Sequence, residues 1–276
     1  MKVSSMLGLG DNIYQRAFIK NIKEEIWLST PWPQLYKDLH HVRFTQSHTQ
    51  LRTQAKNERQ QDAAIYSSPQ GRDIGRVSYG ADGIFNGMRK FFKVEPSKMD
   101  LPDFGDSCIS GDYVVVRPLT IRSEWVAASR NPDNQYLIDA VNYFKSLGLK
   151  TVSIADLEPG KEWLSGDNPA CDVYYHRGEL SVEQLMALVK NAKYVVGGTG
   201  WILPACIAYN VPVWIICGGQ FGYNSPNMIT DKSQNLEKVG FAIPDKPCYC
   251  KQRDHKCDKR ISNHEDQLRR WVFNLG

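Results

Sequence analysis

The chain has 276 residues, 42% apolar and 23% charged, the composition of an ordinary globular protein long enough for two cored domains. No apolar run approaches the roughly 20 residues of a spanning helix and no charged-then-apolar leader opens the sequence, which argues against a membrane or secreted protein. The net charge of +4 is modest, and the seven cysteines without a leader point to a reducing, cytoplasmic setting rather than a disulfide framework.

In chain order, Met1–Met6 predicts a short strand at best. The turn Leu7-Gly8-Leu9-Gly10 then leads into a helix from about Asp11 to Glu25, striped by Ile13, Ala17, Ile22 and Ile26. Ile26–Ser29 reads as a strand ended by Pro31 and Pro33, followed by a short helix near Gln34–Leu39 and a strand near His41–Phe44. Thr45–Asp62 lacks an apolar face and reads as a solvent-facing helix or a loop. Ile74–Tyr79 predicts a strand and Asp82–Phe92 a helix. Glu95–Gly111, with two prolines and two glycines, reads as an interdomain linker.

The second half is more regular. Tyr113–Arg117 predicts a strand stopped by Pro118, Tyr136–Leu147 a helix closed by Gly148, and Thr151–Ala155 a strand. Ser181 caps a helix over Val182–Asn191. Tyr194–Val196 is a strand, Gly197-Gly198-Thr199-Gly200 a turn, Trp201–Tyr209 a helix and Val213–Cys217 a strand. Ser262-Asn263-His264-Glu265 has the capping-box pattern and opens a last helix through Phe273. Strands alternating with helices imply a parallel sheet covered on both faces, hence an α/β fold.

Chemistry concentrates in the glycine turn. Glycines let the backbone turn sharply and leave room for a bulky ligand, while the following helix offers free N–H groups and a positive dipole end to an anion. The same turn can also join a strand to a helix with no ligand. It comes late and lacks G-x-G-x-x-G, so it is not a dinucleotide fingerprint. Charge is uneven as well. Asn12–Lys93 holds 13 Lys/Arg against 7 Asp/Glu, whereas Cys108 to the end holds 19 against 18. The surplus is clearest at Arg43, Arg52, Lys56, Arg59, Arg72 and Arg76, with His40, His41 and His48, and it suits either an anionic partner or a solvated helix face. Cys248-x-Cys250-x4-His255-x-Cys257 supplies the donor set of a closed structural zinc site, or else is a reduced surface loop.

These motifs, in this order, resemble the heptosyltransferase family of glycosyltransferases, family nine. Ser4–Ile13 is similar to the family's opening strand, Gly-Asp turn and helix. Gly178, Ser181, Leu185, Leu188, Val195-Val196, Thr199-Gly200, Ala205, Val211-Pro212 and Gly218 are similar to its nucleotide-sugar domain. The family's pyrophosphate motif has an aspartate where Gly198 stands and a histidine where Leu203 stands; Thr199 and Gly200 are kept.

The resemblance implies a GT-B fold of two Rossmann-like domains facing across a cleft. Residues 1–107 form a small acceptor domain, 108–261 the nucleotide-sugar domain, and 262–276 a helix packing back toward the first domain. It implies inverting transfer from a nucleotide-sugar without a catalytic metal, and Asp11 as general base; alternatively Asp11 only caps its helix. Donor contacts fall to Gly198, Thr199, Gly200 and Trp201. Arg117 and Arg122 stand at the carboxyl end of a strand where they can meet a diphosphate, or form structural salt bridges to Glu124 or Asp133. His176 and Arg177 fall where the family reaches the nucleoside.

The chain also resembles small phage-encoded members of the superfamily associated with DNA modification. That resemblance makes a hydroxymethylpyrimidine in DNA the expected acceptor in a host cytoplasm, with Arg43, Arg52, Lys56 and Arg59 on the phosphates. A surface or lipid-linked glycan, a nucleotide-sugar epimerase and a non-catalytic nucleic-acid-binding module are the alternatives.

Overall fold

In the computed structural model, which describes Met1–Gly276, the short apolar runs of the N-terminal half become a four-stranded parallel sheet. Its strands are β1 (Lys2–Ser4), β2 (Ile26–Ser29), β3 (Val42–Thr45) and β4 (Asp73–Arg76), ordered β3-β2-β1-β4. Val3 lies beside Leu28, and Leu28 beside Phe44, so one face of the sheet is apolar. Helix α1 (Leu9–Ile19) packs on α3 (Ile84–Phe92) through Phe18, Phe85 and Phe92, with Tyr14 edge-on to Phe85 at 5.4 Å.

Arg16 lies within this core at 1% exposure. Its guanidinium donates to Asp38 at 2.7 and 2.6 Å, to Asp100 at 3.1 Å and to Leu35 O at 2.7 Å, a full set of partners that makes burial of the charge tolerable.

Two expectations change here. The segment read as a linker is pinned: Asp100 holds Arg16, Ser97 N–H donates to Ala17 O at 2.8 Å, and Met99 and Leu101 are buried. The first compact unit therefore comprises Met1–Asp103 together with Thr230–Gln234, and the second comprises Phe104–Ile229 and Asn235–Gly276. Asp231 joins the first unit through two 2.8 Å bonds from Arg89, which hold its carboxyl well below the usual carboxylate range. Second, the polar stretch after β3, read as a solvent-facing helix or a loop, contains a helix, α2 (Arg52–Arg59), with a buried face made of amides. Asn57 donates to Pro31 O at 2.5 Å and exchanges bonds with Gln34, and Gln54 donates to Leu7 O at 3.1 Å. An apolar stripe is not what seats this helix.

The second unit is built on a six-stranded parallel sheet ordered β12-β11-β10-β5-β7-β9. Its strands are β5 (Tyr113–Arg117), β7 (Lys150–Ile154), β9 (Val173–Tyr175), β10 (Tyr194–Gly198), β11 (Val213–Ile216) and β12 (Val239–Ala242). A small antiparallel pair, β6 (Thr120–Arg122) and β8 (Glu162–Leu164), stands apart from it. Helices α4 (Asn134–Ser146), α5 (Val182–Lys190), α6 (Ile202–Tyr209) and α9 (His264–Asn274) pack around the strands, with one-turn helices α7 (Phe221–Asn224) and α8 (Pro226–Ile229). The cap expected at Ser181 is formed, and the structure extends it to a full capping box with Gln184.

The one expected at Ser262 is not. Asn263 takes the N-cap position in the left-handed region at φ 54°, and Ser262 is drawn away by Asp245, to which its hydroxyl donates at 2.7 Å. The last helix, expected to pack back toward the first domain, has its strongest contacts within the second unit. It lies on α4 and β12 of its own unit, with Trp271 against Tyr194 and Trp214. A Cβ on Gly240 would stand 2.3 Å from the Trp214 ring and 2.8 Å from that of Trp271, so this strand position must be glycine for the helix to seat.

Candidate functional site

In the six-stranded sheet the strand order reverses at the β5–β10 pair, where Gly197 lies beside Arg117. Open α/β sheets bind ligands outside the carboxyl ends of such strands. The glycine turn therefore stands where its sequence implied, but its glycines serve close approach rather than reversal: none of Gly197, Gly198 and Gly200 has a positive φ. A Cβ at Gly197 would stand 2.9 Å from both Arg117 O and Ile202 Cδ1, and one at Gly198 3.0 Å from Leu119 Cδ2. Gly200 meets nothing within 4 Å, leaving open space at the start of α6. The first N–H groups of α6 have no side-chain cap at Trp201.

Arg130, not among the residues foreseen, reaches this turn. It donates from Nε to Thr199 Oγ1 at 3.3 Å and from its terminal nitrogen to Thr199 O at 2.8 Å. It is half-buried in the loop that leaves β6. The same rule that drew attention to Arg117 and Arg122 covers this loop, but sequence proximity to the strand favoured the wrong guanidinium. Arg117 and Arg122 converge instead on Glu162, whose side chain is fully buried, at 3.1 and 2.9 Å. Burial pulls the Arg117 guanidinium below its usual range and Glu162 opposes the shift. The salt-bridge alternative is what these two residues adopt, with Glu162 as partner.

His176 lies after β9, its Nε2 2.8 Å from the buried Ser153 hydroxyl. Burial and then the charge of Arg117 lower its pKa, which favours the neutral imidazole. Arg177 is exposed beside it, its N–H bonded to Glu179.

Asp11 occupies the first turn of α1, but Gly8 is the N-cap and no side chain caps there. The carboxylate folds over Gly8, where a Cβ would stand 2.3 Å from Oδ2, and Tyr79 OH donates to Oδ1 at 3.3 Å. Asp11 is thus a carboxylate at a helix N-terminus, where negative charge is favoured, and not the residue that terminates it.

Basic residues of the first unit line two grooves. Arg43 pairs with Glu25 at 2.9 Å and lines a groove of about 460 Å³ with Lys37 and His40. Arg59 is exposed and lines a second groove of about 420 Å³ with His48 and Glu58, while Arg52 and Lys56 stand half-buried on α2.

The cysteine cluster assembles as its spacing implied. One donor atom from each of Cys248, Cys250, His255 and Cys257 lies within 4.8 Å of the others. Cys248 Sγ stands 3.4 Å from His255 Nδ1, which is 3.5 Å from Cys257 Sγ, itself 3.5 Å from Cys250 Sγ. Ligands bound tetrahedrally at about 2.0–2.3 Å stand roughly 3.5–3.8 Å apart, so the donor set fits one four-coordinate ion.

No protein-family model matches the sequence, and no curated protein matches it. Solved structures do match. TibC, described as a bacterial iron-containing dodecameric glycosyltransferase from enterotoxigenic E. coli H10407, aligns with 100% of this chain and 76% of its own at a TM-score of 0.66 and 14% identity. The glycosyl transferase family 9 protein of Veillonella parvula DSM 2008 aligns with 99% of this chain and 96% of its own at 0.58 and 10%. The E. coli heptosyltransferase WaaC, seen with ADP-2-deoxy-2-fluoro heptose, covers both chains fully at 0.53 and 10%. The chain therefore has the fold of the family-nine heptosyltransferases.

Proposed function

We propose that this protein is a glycosyltransferase that moves a sugar from a nucleotide-sugar to a hydroxyl acceptor. The observation that carries this reading is the Arg130–Thr199 contact at the strand-order reversal, beside open space at Gly200, in a heptosyltransferase fold. Arg130, the backbone of Thr199 and Gly200 and the N-terminus of α6 neutralise the departing diphosphate, and Asp11 takes the proton of the acceptor hydroxyl. His176, neutral and tied to Ser153, and Arg177 serve the nucleoside. Because similar structures include a heptosyltransferase with an ADP-sugar analogue, an ADP-linked sugar is the first donor to test. ADP at a hundred times its Kd should stabilise the protein by about 2.7 kcal/mol. Arg130→Ala should weaken ADP binding roughly 10- to 100-fold, the scale of a charged hydrogen bond. Full affinity in that variant removes Arg130 from the site.

For the acceptor we propose a hydroxymethylpyrimidine in DNA, supported by the basic surplus of the first unit. Each phosphate contacted releases counterions, so duplex binding should weaken with salt at a log–log slope of about −0.9 per phosphate. Replacing Arg52, Lys56 and Arg59 by alanine should flatten the slope and spare ADP binding, which belongs to the other unit. A slope near zero moves the acceptor to a neutral glycan.

A second reading concerns the cysteine loop, which we propose holds one metal ion. Four protein ligands leave no open position, so the ion is structural. The donor set suits zinc or iron, and TibC is described as iron-containing. Protein never exposed to chelator should carry about one metal per chain, and stripping it should lower the melting midpoint. Metal content well below half an equivalent contradicts the site.

A further inference from the structure

Whatever fixes the short turn Ala128–Arg130 fixes the guanidinium that meets Thr199, and two walls hold this turn. On the inner side, Gly219 N–H donates to Ser129 O at 2.9 Å. The two glycines there are in close contact with it: a Cβ at Gly218 would stand 2.3 Å from Arg130 O, and one at Gly219 2.7 Å from Ser129 O. On the outer side, Ser129 N–H donates to Arg253 O at 3.1 Å, Ser129 Oγ donates to Gln252 O at 2.7 Å, and Lys259 Nζ donates to Ala128 O at 3.1 Å. Gln252 and Arg253 lie between Cys250 and His255, within the loop whose four donor atoms converge. Cys257 closes the stack, since a Cβ at Gly219 would also stand 2.3 Å from its Sγ. The cysteine loop is thus packed against the turn that carries Arg130, and Ser129, 2% exposed, is the side chain that joins them.

We propose that Ser129 is a positioning residue, which docks the Cys248–Cys257 loop onto the Ala128–Arg130 turn and so aims Arg130 at the donor diphosphate. This rests on the nucleotide-sugar reading above. The loop then governs donor affinity through Arg130. Ser129→Ala keeps the backbone bond to Arg253 O but leaves the Gln252 carbonyl without its hydroxyl partner, and the turn gains freedom to move.

The test is a double-mutant cycle read by calorimetric titration of the full chain with ADP, GDP, UDP and CDP, at a temperature well below melting. Using whichever nucleotide binds wild type most tightly, Ser129→Ala should weaken binding about three- to tenfold. Arg130→Ala should weaken it more, and the double variant should bind no more weakly than Arg130→Ala alone, because residues acting through one another are not additive. A merely structural serine would lower the melting midpoint and leave the folded protein's affinity unchanged. Wild-type affinity in Ser129→Ala, or losses that add in the double variant, overturns the inference while the nucleotide-sugar reading stands. If no nucleoside diphosphate binds wild type, the donor reading fails and the inference with it.

Discussion

Asp11→Asn is expected to fold, bind nucleotide as wild type does, and turn over about a hundredfold more slowly or worse, the scale of a lost general base. The substitution keeps the side chain's shape over Gly8, and an amide oxygen still accepts from Tyr79. Gly8, not Asp11, holds the N-cap position, so no cap is lost. What disappears is a negative charge in the first turn, worth about 0.3–1 kcal/mol of stability. Donor binding, which we place in the other unit, should not change. Steady-state kinetics with the donor held saturating separates the roles: near-normal turnover would leave Asp11 with a structural part only.

Gly218→Ala should be the most damaging single methyl group in the second unit. Its Cβ would stand 2.3 Å from Arg130 O and 2.4 Å from the Asn131 carbonyl carbon. Both neighbours are backbone, so neither can swing aside as a side chain would. Overpacking of this kind costs about 1–3 kcal/mol, and the upper end applies here. Since about 1 kcal/mol shifts the midpoint by roughly 2–4 °C in a domain of this size, thermal melting should register it clearly. Displacing Arg130 should also lower nucleotide affinity. Gly200→Ala is the control, because that Cβ meets nothing within 4 Å. Its melting should be close to wild type while the added methyl intrudes on the open space beside Thr199. Unchanged nucleotide affinity in both variants would contradict the placement of the donor at this turn.

Much of this was legible in the sequence where local chemistry decides the outcome. Pro118, Gly148 and the Ser181 cap mark element ends that stand close to where the sequence puts them. The Cys3His spacing placed four donors together because the loop is short enough to force it. The misses are tertiary. The buried face of helix α2 rests on Gln54 and Asn57, whose amide N–H groups donate to Leu7, Pro31 and Gln34, far away in sequence. β9 and β12, of three and four residues, carry too little pattern to stand out from their loops. Arg117, Arg122 and Arg130 are indistinguishable in sequence; only the fold brings Glu162 to the first two and Thr199 to the third. The Ser262 box failed because Asp245, seventeen residues earlier, competes for the same hydroxyl.

Sugar transfer itself tests the central claim most directly. Wild type and Asp11→Asn are incubated with labelled nucleotide-sugars, an ADP-linked heptose among them, and offered duplex DNA with or without hydroxymethylpyrimidines. Label should enter the hydroxymethylated DNA with wild type alone, with one nucleoside diphosphate released per sugar moved. Label in neither DNA while donor is consumed would move the acceptor to a glycan hydroxyl. A protein that neither binds nor consumes any donor in the panel would contradict the glycosyltransferase reading itself.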